Sequence, residues 1–481
     1  MKVLQKLGVS EFWINVSKLA TGTIASQVLA ILFTPFITRI FDAKDIGTLN
    51  LFNQIVGLMV VISMLRLDRA IILADNNEAK KLVSTGFTII LFFFISLLLL
   101  TFPFQTFWMS FLGLKYPGYF ILTIPVAFFL QSVINLFKTG GNTFKLYTTM
   151  AKGLFLQALL LQILKLFFGL NLGAGPAWLI LAELLAATTV IIYYLFELGK
   201  KAQFNIEIIG WNDLKMLLLE HKNFIKFDVP ASLLNFLSWS AASFLLAYYF
   251  DAKTVGYYAL GFTMLRLPMN LLGKAIGDVF YKKSAGEASD MNTLRKSSNQ
   301  VVIQLFSFGI LPITAIFFFG DVLFSFFFGK QWIPAGEYSQ VLSFWTFIWF
   351  ISSPISNLYY ILGLQHKFMQ FMAVSLLIRA LAIVIAASFF DAPMAIVLYS
   401  VASLLVYGYQ LFYLLNKVKT DFKQLLINIL KGSSFALGPI IVMIILNILS
   451  LGTPILLLIL FPTIALSMAW RWFKRPKLLI Q

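Results

Sequence analysis

Six basic side chains fall inside the long apolar runs of this chain: Lys18, Lys152, Lys165, Arg266, Lys274 and Arg379. A Lys or Arg near a bilayer centre costs roughly 2.5–3.5 kcal/mol on insertion scales, so it faces a bundle interior or a water-filled cavity. Lys18, Lys152 and Lys165 lie close enough to helix ends for their heads to snorkel to the interface. Arg266, ten residues past Gly256, and Arg379, thirteen past His366, are too deep for that. Arg266, Asn270 and Lys274 recur at i, i+4 and i+8, with Asp278 next in the series, so on an unbroken helix they form one polar stripe that Pro268 can bend. A Lys274–Asp278 pair with a packing hydrogen bond at Asn270 is the structural alternative. Arg266 has no acidic neighbour on its own helix. Asn53 shares a face with Asn50 and Gln54, as Thr23 does with Ser26 and Gln27. Acids within the apolar runs are fewer: Glu183, eight residues into its run, and Asp228, just before Pro230, are the candidates for ion coupling, Glu183 through a coupled proton. The balance is cationic, which points to an anionic substrate, and the guanidinium fork suits phosphate oxygens. The candidate substrate contacts are therefore Arg266 and Arg379, with Lys274, Asn270, Lys165 and Asn53 along the path.

Only membrane-spanning elements can position such groups. The chain has 481 residues, 60 % apolar, 16 % aromatic and 12 % charged, with a mean hydropathy of +0.87, against about a quarter charged in globular proteins. At ~34 residues per span and connection, with roughly 20 apolar residues in each span, the length accommodates about fourteen transmembrane helices and no soluble domain. With no cysteine, and only His221 and His366 as imidazoles, disulfide, thiolate and Cys/His metal chemistry are poor expectations, and no cofactor is expected. The net charge of +17 reads as topology rather than as nucleic-acid binding. Residues 1–16 carry Lys2, Lys6 and Glu11 without the pattern of a cleaved signal peptide. No Gly-rich phosphate loop, HExxH or Ser/His/Asp pattern is present, which argues against an ATP-driven pump.

Apolar runs place spans near 17–39, 45–66, 83–105, 115–138, 148–170 and 175–197, then 224–250, 256–281, 298–319, 336–363, 366–390 and 392–415, and finally 427–449 and 453–470. The expected organisation is an N-terminal six-helix lobe (1–198), a polar inter-lobe linker (199–223), a second six-helix lobe (224–416) and two further helices with a basic tail (417–481). Phe41-Asp42-Ala43-Lys44 and Gly47 reappear as Phe250-Asp251-Ala252-Lys253 and Gly256, with six of eleven aligned positions identical. Asn135-Leu136, Gly141 and Lys145 align in order with Asn357-Leu358, Gly363 and Lys367. Two blocks of even span number insert the same way round, as a parallel repeat about an axis along the membrane normal, which implies a central cationic cavity. Of the basic residues outside the spans, 26 fall on one side and 5 on the other, so the positive-inside rule makes both termini cytoplasmic.

Four stretches carry a resemblance: GTIASQVLAILFTPFITRIFDAKDIGTLNLF at 22–52, RLDRAIILADNNEAKKL at 66–82, the segment 229–288 containing FDAKTVGYYALGFTMLRLPMNLLGKAIGDVFYKKSAGEA, and FGKQWIPAGEYSQVLSFWTFIWFISSPISNLYYILG at 328–363. In their order and spacing they resemble the polysaccharide transporter (Wzx-type) family of the multidrug/oligosaccharidyl-lipid/polysaccharide (MOP) flippase superfamily. The resemblance implies an all-α polytopic protein of the bacterial inner membrane. It would carry undecaprenyl-pyrophosphate-linked oligosaccharide, such as an O-antigen unit for lipopolysaccharide or another surface polysaccharide, to the outer leaflet by alternating access. It further implies partnership with a polysaccharide polymerase and other assembly proteins. The two extra C-terminal spans resemble the fourteen-span relatives that include lipid II flippases, which keeps lipid II open as the substrate. The first span lacks the intramembrane carboxylate of the drug-extruding branch, so a drug or small-solute antiporter is disfavoured. A polymerase or ligase would need an ordered outer loop carrying acid/base groups, and the longest outer connection expected, near 320–336, holds only Asp321 and Glu337 at its edge.

Overall fold

The computed structural model describes residues 11–103, 118–202, 207–222, 224–269, 273–286, 290–449 and 453–474, and among them there is no strand. Two compact units, Met1–Ser240 and Ala241–Gln481, divide the chain. The boundary falls inside one helix, Val229–Tyr249. Twelve helices among the described residues are long and apolar enough to cross a membrane, and Leu456–Met468 adds a shorter apolar stretch.

The first unit runs through α1 (Glu11–Ile40), α2 (Ala43–Ile62), the short α3 (Leu67–Leu73), α4 (Asn76–Thr101), α5 (Gly118–Thr143), α6 (Tyr147–Asn171), α7 (Pro176–Ala202) and α8 (Trp211–Glu220), followed by a π-helical turn over Phe224–Asp228 and the start of α9 (Val229–Tyr249). α8 lies in the expected linker and docks on this unit's core through buried Leu214 and Leu217. The second unit continues with α10 (Ala252–Pro268), α11 (Lys274–Gly286), α12 (Met291–Phe328), α13 (Ile333–Ile355), α14 (Leu358–Ile361), α15 (Gln365–Phe389), α16 (Ala392–Lys417), α17 (Phe422–Ser433), α18 (Leu437–Leu449) and α19 (Thr453–Lys474). Met443 and Leu446 of α18 and Leu457 and Leu460 of α19 pack on Leu311 and Ala315 of α12, so the two additional helices share this unit's core.

The duplicated FDAK motif has one physical meaning in both places. Asp42 caps α2, accepting the Asp45 N–H at 2.8 Å while Asp45 accepts the Asp42 N–H at 3.4 Å. Asp251 caps α10 by accepting the Thr254 N–H at 2.7 Å. The second repeat pair aligns differently in space than in sequence. α5 runs through Asn135 and Gly141 to Thr143, and the left-handed residue that ends it is Lys145 (φ 56°); the equivalent after α14 is Gly363 (φ 68°). Both ends close the same way, Leu146 N–H to Gly141 C=O and Leu364 N–H to Tyr359 C=O, each 2.7 Å. The structural counterpart of Gly363 is thus Lys145, four residues beyond the sequence match with Gly141.

Two expectations are corrected. Over the expected eighth span, α10 ends at Pro268 and α11 begins at Lys274, with Met269 and Gly273 in π-helical conformation and 270–272 outside the described residues. Proline removes an N–H and clashes with the preceding turn, and π-helical residues turn by less than 100°, so Arg266 and Lys274 are not spaced as on one regular α-helix. The outer connection expected near 320–336 is mostly helix. α12 reaches Phe328 and only Gly329 (φ 106°) and the 3₁₀ turn Lys330–Trp332 separate it from α13. Gly320 lets those two helices touch, since a Cβ there would lie 2.6 Å from the Gly336 carbonyl oxygen.

Candidate functional site

Among the described residues, each unit gathers polar groups between its helices. In the first, α2, α6 and α7 bring Asn53, Lys165 and Glu183 together. Glu183 Oε1 accepts from Asn53 Nδ2 at 3.2 Å and from Lys165 Nζ at 3.4 Å. Lys165 therefore spends its charge on an acid eighteen residues away rather than snorkelling to an interface. The group borders a cavity of about 460 Å³ whose polar lining is Asn53, Gln131, Asn135, Gln157 and Glu183, closed in part by Phe236. Gln131 and Gln157 escape the sequence reading, although an amide inside an apolar helix is a signal for a polar interior face. Asp228, half-buried in the π-helical turn before α9, is not part of this lining.

In the second unit, α10, α13, α15 and α16 enclose Arg379. Its side chain is 2 % exposed. Nε donates to Ser403 Oγ at 3.1 Å, Nη1 to Tyr407 OH at 3.5 Å and Nη2 to Tyr399 OH. The guanidinium carbon lies 4.9–5.8 Å from the ring centres of Tyr399, Trp345 and Tyr407, so the charge is held by aromatic faces and hydroxyls. Arg266 belongs to the same assembly from α10. Its guanidinium lies 5.5 Å from the Phe262 ring and 5.9 Å from that of Trp349, and Phe262 stacks on Trp345, which stacks in turn on Tyr407. The two arginines thus sit on one aromatic stack with different exposure. Arg379 is enclosed and bonded to protein, whereas Arg266 is half-buried and its Nε has no hydrogen-bond partner among the described residues.

The individual aromatic partners are absent from the sequence reading. A signal was there: Tyr258, Phe262 and Arg266 on α10, Trp345 and Trp349 on α13, and Tyr399, Ser403 and Tyr407 on α16 each recur at four-residue spacing. Asn270 and the side chains of Lys274 and Asp278 lie outside the described residues. A separate 460 Å³ cavity between α15 and α16 is lined by Tyr359, Lys367, Ile378, Leu405, Tyr409 and neighbouring residues and includes neither arginine. No group of Cys, His, Asp and Glu with metal-ligand spacing occurs at either polar site among the described residues.

The fold is shared with solved transporters. The chain is similar to the lipid II flippase MurJ in an inward closed conformation, with 12 % identity and a TM-score of 0.73 over 95 % of this chain and 99 % of that one. It is also similar to an inward-facing multidrug resistance MATE family transporter of the MOP superfamily (14 % identity, TM-score 0.57, 85 % and 94 % covered). A third is a MOP superfamily transporter from Pyrococcus furiosus described by a binding pocket of reverse polarity (14 % identity, TM-score 0.56, 85 % and 96 % covered). At such identities the likeness is one of fold. No curated protein matches in sequence. Residues 36–337, well over half of the chain, match the family described as polysaccharide biosynthesis protein, and this multi-span membrane protein belongs to that family.

Proposed function

We propose that the chain is a flippase rather than an enzyme, moving an undecaprenyl-pyrophosphate-linked oligosaccharide from the inner to the outer leaflet of the bacterial inner membrane by alternating access. The observation that carries this is Arg266, a half-buried cation near the end of α10 whose Nε has no hydrogen-bond partner among the described residues, in a chain of the polysaccharide biosynthesis family. An intramembrane arginine with spare donors suits a phosphate oxygen, whose charge offsets the cost of keeping the guanidinium there. Lys274 and Asn270 are further candidate contacts by their place in the sequence. Arg379 positions the stack on which Arg266 rests and supplies a fixed positive field, because its own donors are already engaged by Ser403, Tyr399 and Tyr407. Lys165 and Asn53 serve the Glu183 carboxylate rather than the pyrophosphate.

The excess of basic residues on one side supports cytoplasmic termini. Cysteines introduced at Thr48 and Thr254 would then label with an impermeant maleimide from outside, and one at Ser284 would not. Lipid II is the second reading, favoured by one observation: the likeness to MurJ extends over 95 % of this chain. A reconstituted assay of headgroup exposure, run with a lipid-linked oligosaccharide, with lipid II and with a cationic dye, separates these readings. Movement of the oligosaccharide alone supports the first, movement of lipid II alone supports the second, and movement of the dye alone overturns both.

A further inference from the structure

Away from both polar sites, three ligating groups converge at the junction of α4 and α8. A carboxylate oxygen of Glu78, one of Glu220 and an imidazole nitrogen of His221 all lie within 4.8 Å of one another. Helix polarity explains only part of this gathering. Glu78 sits in the first turn of α4, whose positive end favours a carboxylate and whose Asp75 cap fixes the turn by accepting the Glu78 N–H at 2.9 Å. Glu220 is the last residue of α8, where the helix end is negative and a second carboxylate is disfavoured. Lys80, Lys81, Lys215 and Lys222 are close in sequence. The ion pairs Arg66–Asp68 and Lys165–Glu183 lie elsewhere in this unit. Two carboxylates and an imidazole nonetheless meet at a negative helix end.

Independent contacts fix the two elements. Leu214 and Leu217 of α8 are buried in the first unit's core. Just before α8, the Ile209 N–H donates to Thr88 Oγ1 of α4 at 3.1 Å and the Glu207 N–H to Ser84 Oγ at 3.4 Å. The backbone positions of the three ligands are thus set by packing and not by each other.

We propose that Glu78, Glu220 and His221 form a binding site for a divalent transition-metal ion that staples α8 to the start of α4. Two oxygens and one imidazole nitrogen suit Zn²⁺ or a first-row neighbour better than Ca²⁺ or Mg²⁺, which take oxygen ligands in larger number or with retained water. Three protein ligands leave a coordination position for water, which makes the ion exchangeable. Ligand atoms around a tetrahedral Zn²⁺ at about 2.0–2.1 Å stand about 3.4 Å apart. Rotation of the two exposed glutamates closes the remaining gap.

The test uses the purified full chain, stripped with EDTA and titrated with Zn²⁺ by calorimetry, alongside Glu220→Gln, His221→Gln and the control His366→Gln. The absence of cysteine and the presence of only two histidines keep other zinc sites few. Wild type and His366→Gln are expected to bind one Zn²⁺ per chain and to melt at a higher temperature with the ion. Glu220→Gln and His221→Gln are expected to bind at least tenfold more weakly and to show no such rise. A wild-type titration indistinguishable from that of His221→Gln, or loss of binding in His366→Gln alone, overturns the site.

Discussion

The two units treat intramembrane charge in opposite ways. The first neutralises it: Glu183 meets Lys165 and Asn53 beside a cavity lined by further amides, so the charges pair and the polar surface faces open volume. The second keeps a net cation. Arg379 is packed among Trp345, Tyr399 and Tyr407 with its donors on hydroxyls, and Arg266 rests on the edge of the same stack. Sequence-related halves that share an Asp-capped second helix have diverged at the residues those helices present. A paired charge is suited to hydration and structure, whereas a half-buried cation without a pair is suited to an anionic ligand.

Breaking the second unit at its centre has the largest expected effect. Arg379→Gln strands buried tyrosine hydroxyls, at about 1–3 kcal/mol for each unsatisfied group. It should lower the melting temperature in detergent by several degrees and reduce the amount of protein in the membrane. Arg379→Lys should not rescue it, because a point cation cannot serve Ser403, Tyr399 and Tyr407 together. Arg266→Gln sharpens the contrast. It removes a charge-assisted contact of roughly 1.5–3 kcal/mol, so glycan export should fall tenfold or more while melting temperature and protein level stay near wild type. Export assayed in cells, with the protein quantified on the same membranes, distinguishes the two arginines.

The first unit predicts coupling in place of a lone effect. Glu183→Gln leaves Lys165 without its counter-charge, and Lys165→Met does the reverse. Each should cost stability, and the double variant should cost less than their sum, with a coupling of about 1 kcal/mol by double-mutant cycle. Strict additivity would show the pair to be incidental. The smallest effects belong to what the units share. Asp42→Ala and Asp251→Ala each remove a helix cap worth about 0.5–2 kcal/mol, and thermal unfolding should rank Asp42 as at least equal, since only its cap is reciprocated by Asp45.

Much of this fold was legible in the sequence, because hydropathy fixes which segments must be helical in lipid and capping residues mark where they start. The FDAK repeat translated directly into two capped helices. Pro268 was visible in the sequence, but the π-helical conformation of Met269 and Gly273 was not, since only the backbone distinguishes it from a simple bend. The depth of Arg266 and Arg379 followed from counting. Their difference in exposure did not, because it depends on Tyr399, Ser403 and Tyr407 from a helix twenty or more residues downstream of Arg379. The Lys165–Glu183 pair was missed for the same reason: charge pairing across helices leaves no mark in a single helix's periodicity.

The central claim is that Arg266 engages the anionic head during outward movement. A pyrophosphate carries about two negative charges, and an inside-negative potential favours their outward transfer by roughly 2.3 kcal/mol per charge per 100 mV, about 5 kcal/mol if both cross uncompensated. We therefore look to headgroup exposure of an undecaprenyl-pyrophosphate-linked oligosaccharide in liposomes, with the potential clamped by K⁺ and valinomycin and with pH and Na⁺ equal on both sides. Wild type should expose the headgroup faster as the potential becomes more negative inside, Arg266→Lys should retain part of that rate, and Arg266→Gln should lose it at equal reconstitution. Full potential-dependent flipping by Arg266→Gln, or flipping that ignores potential, follows a pH step and vanishes in Glu183→Gln, would contradict the account.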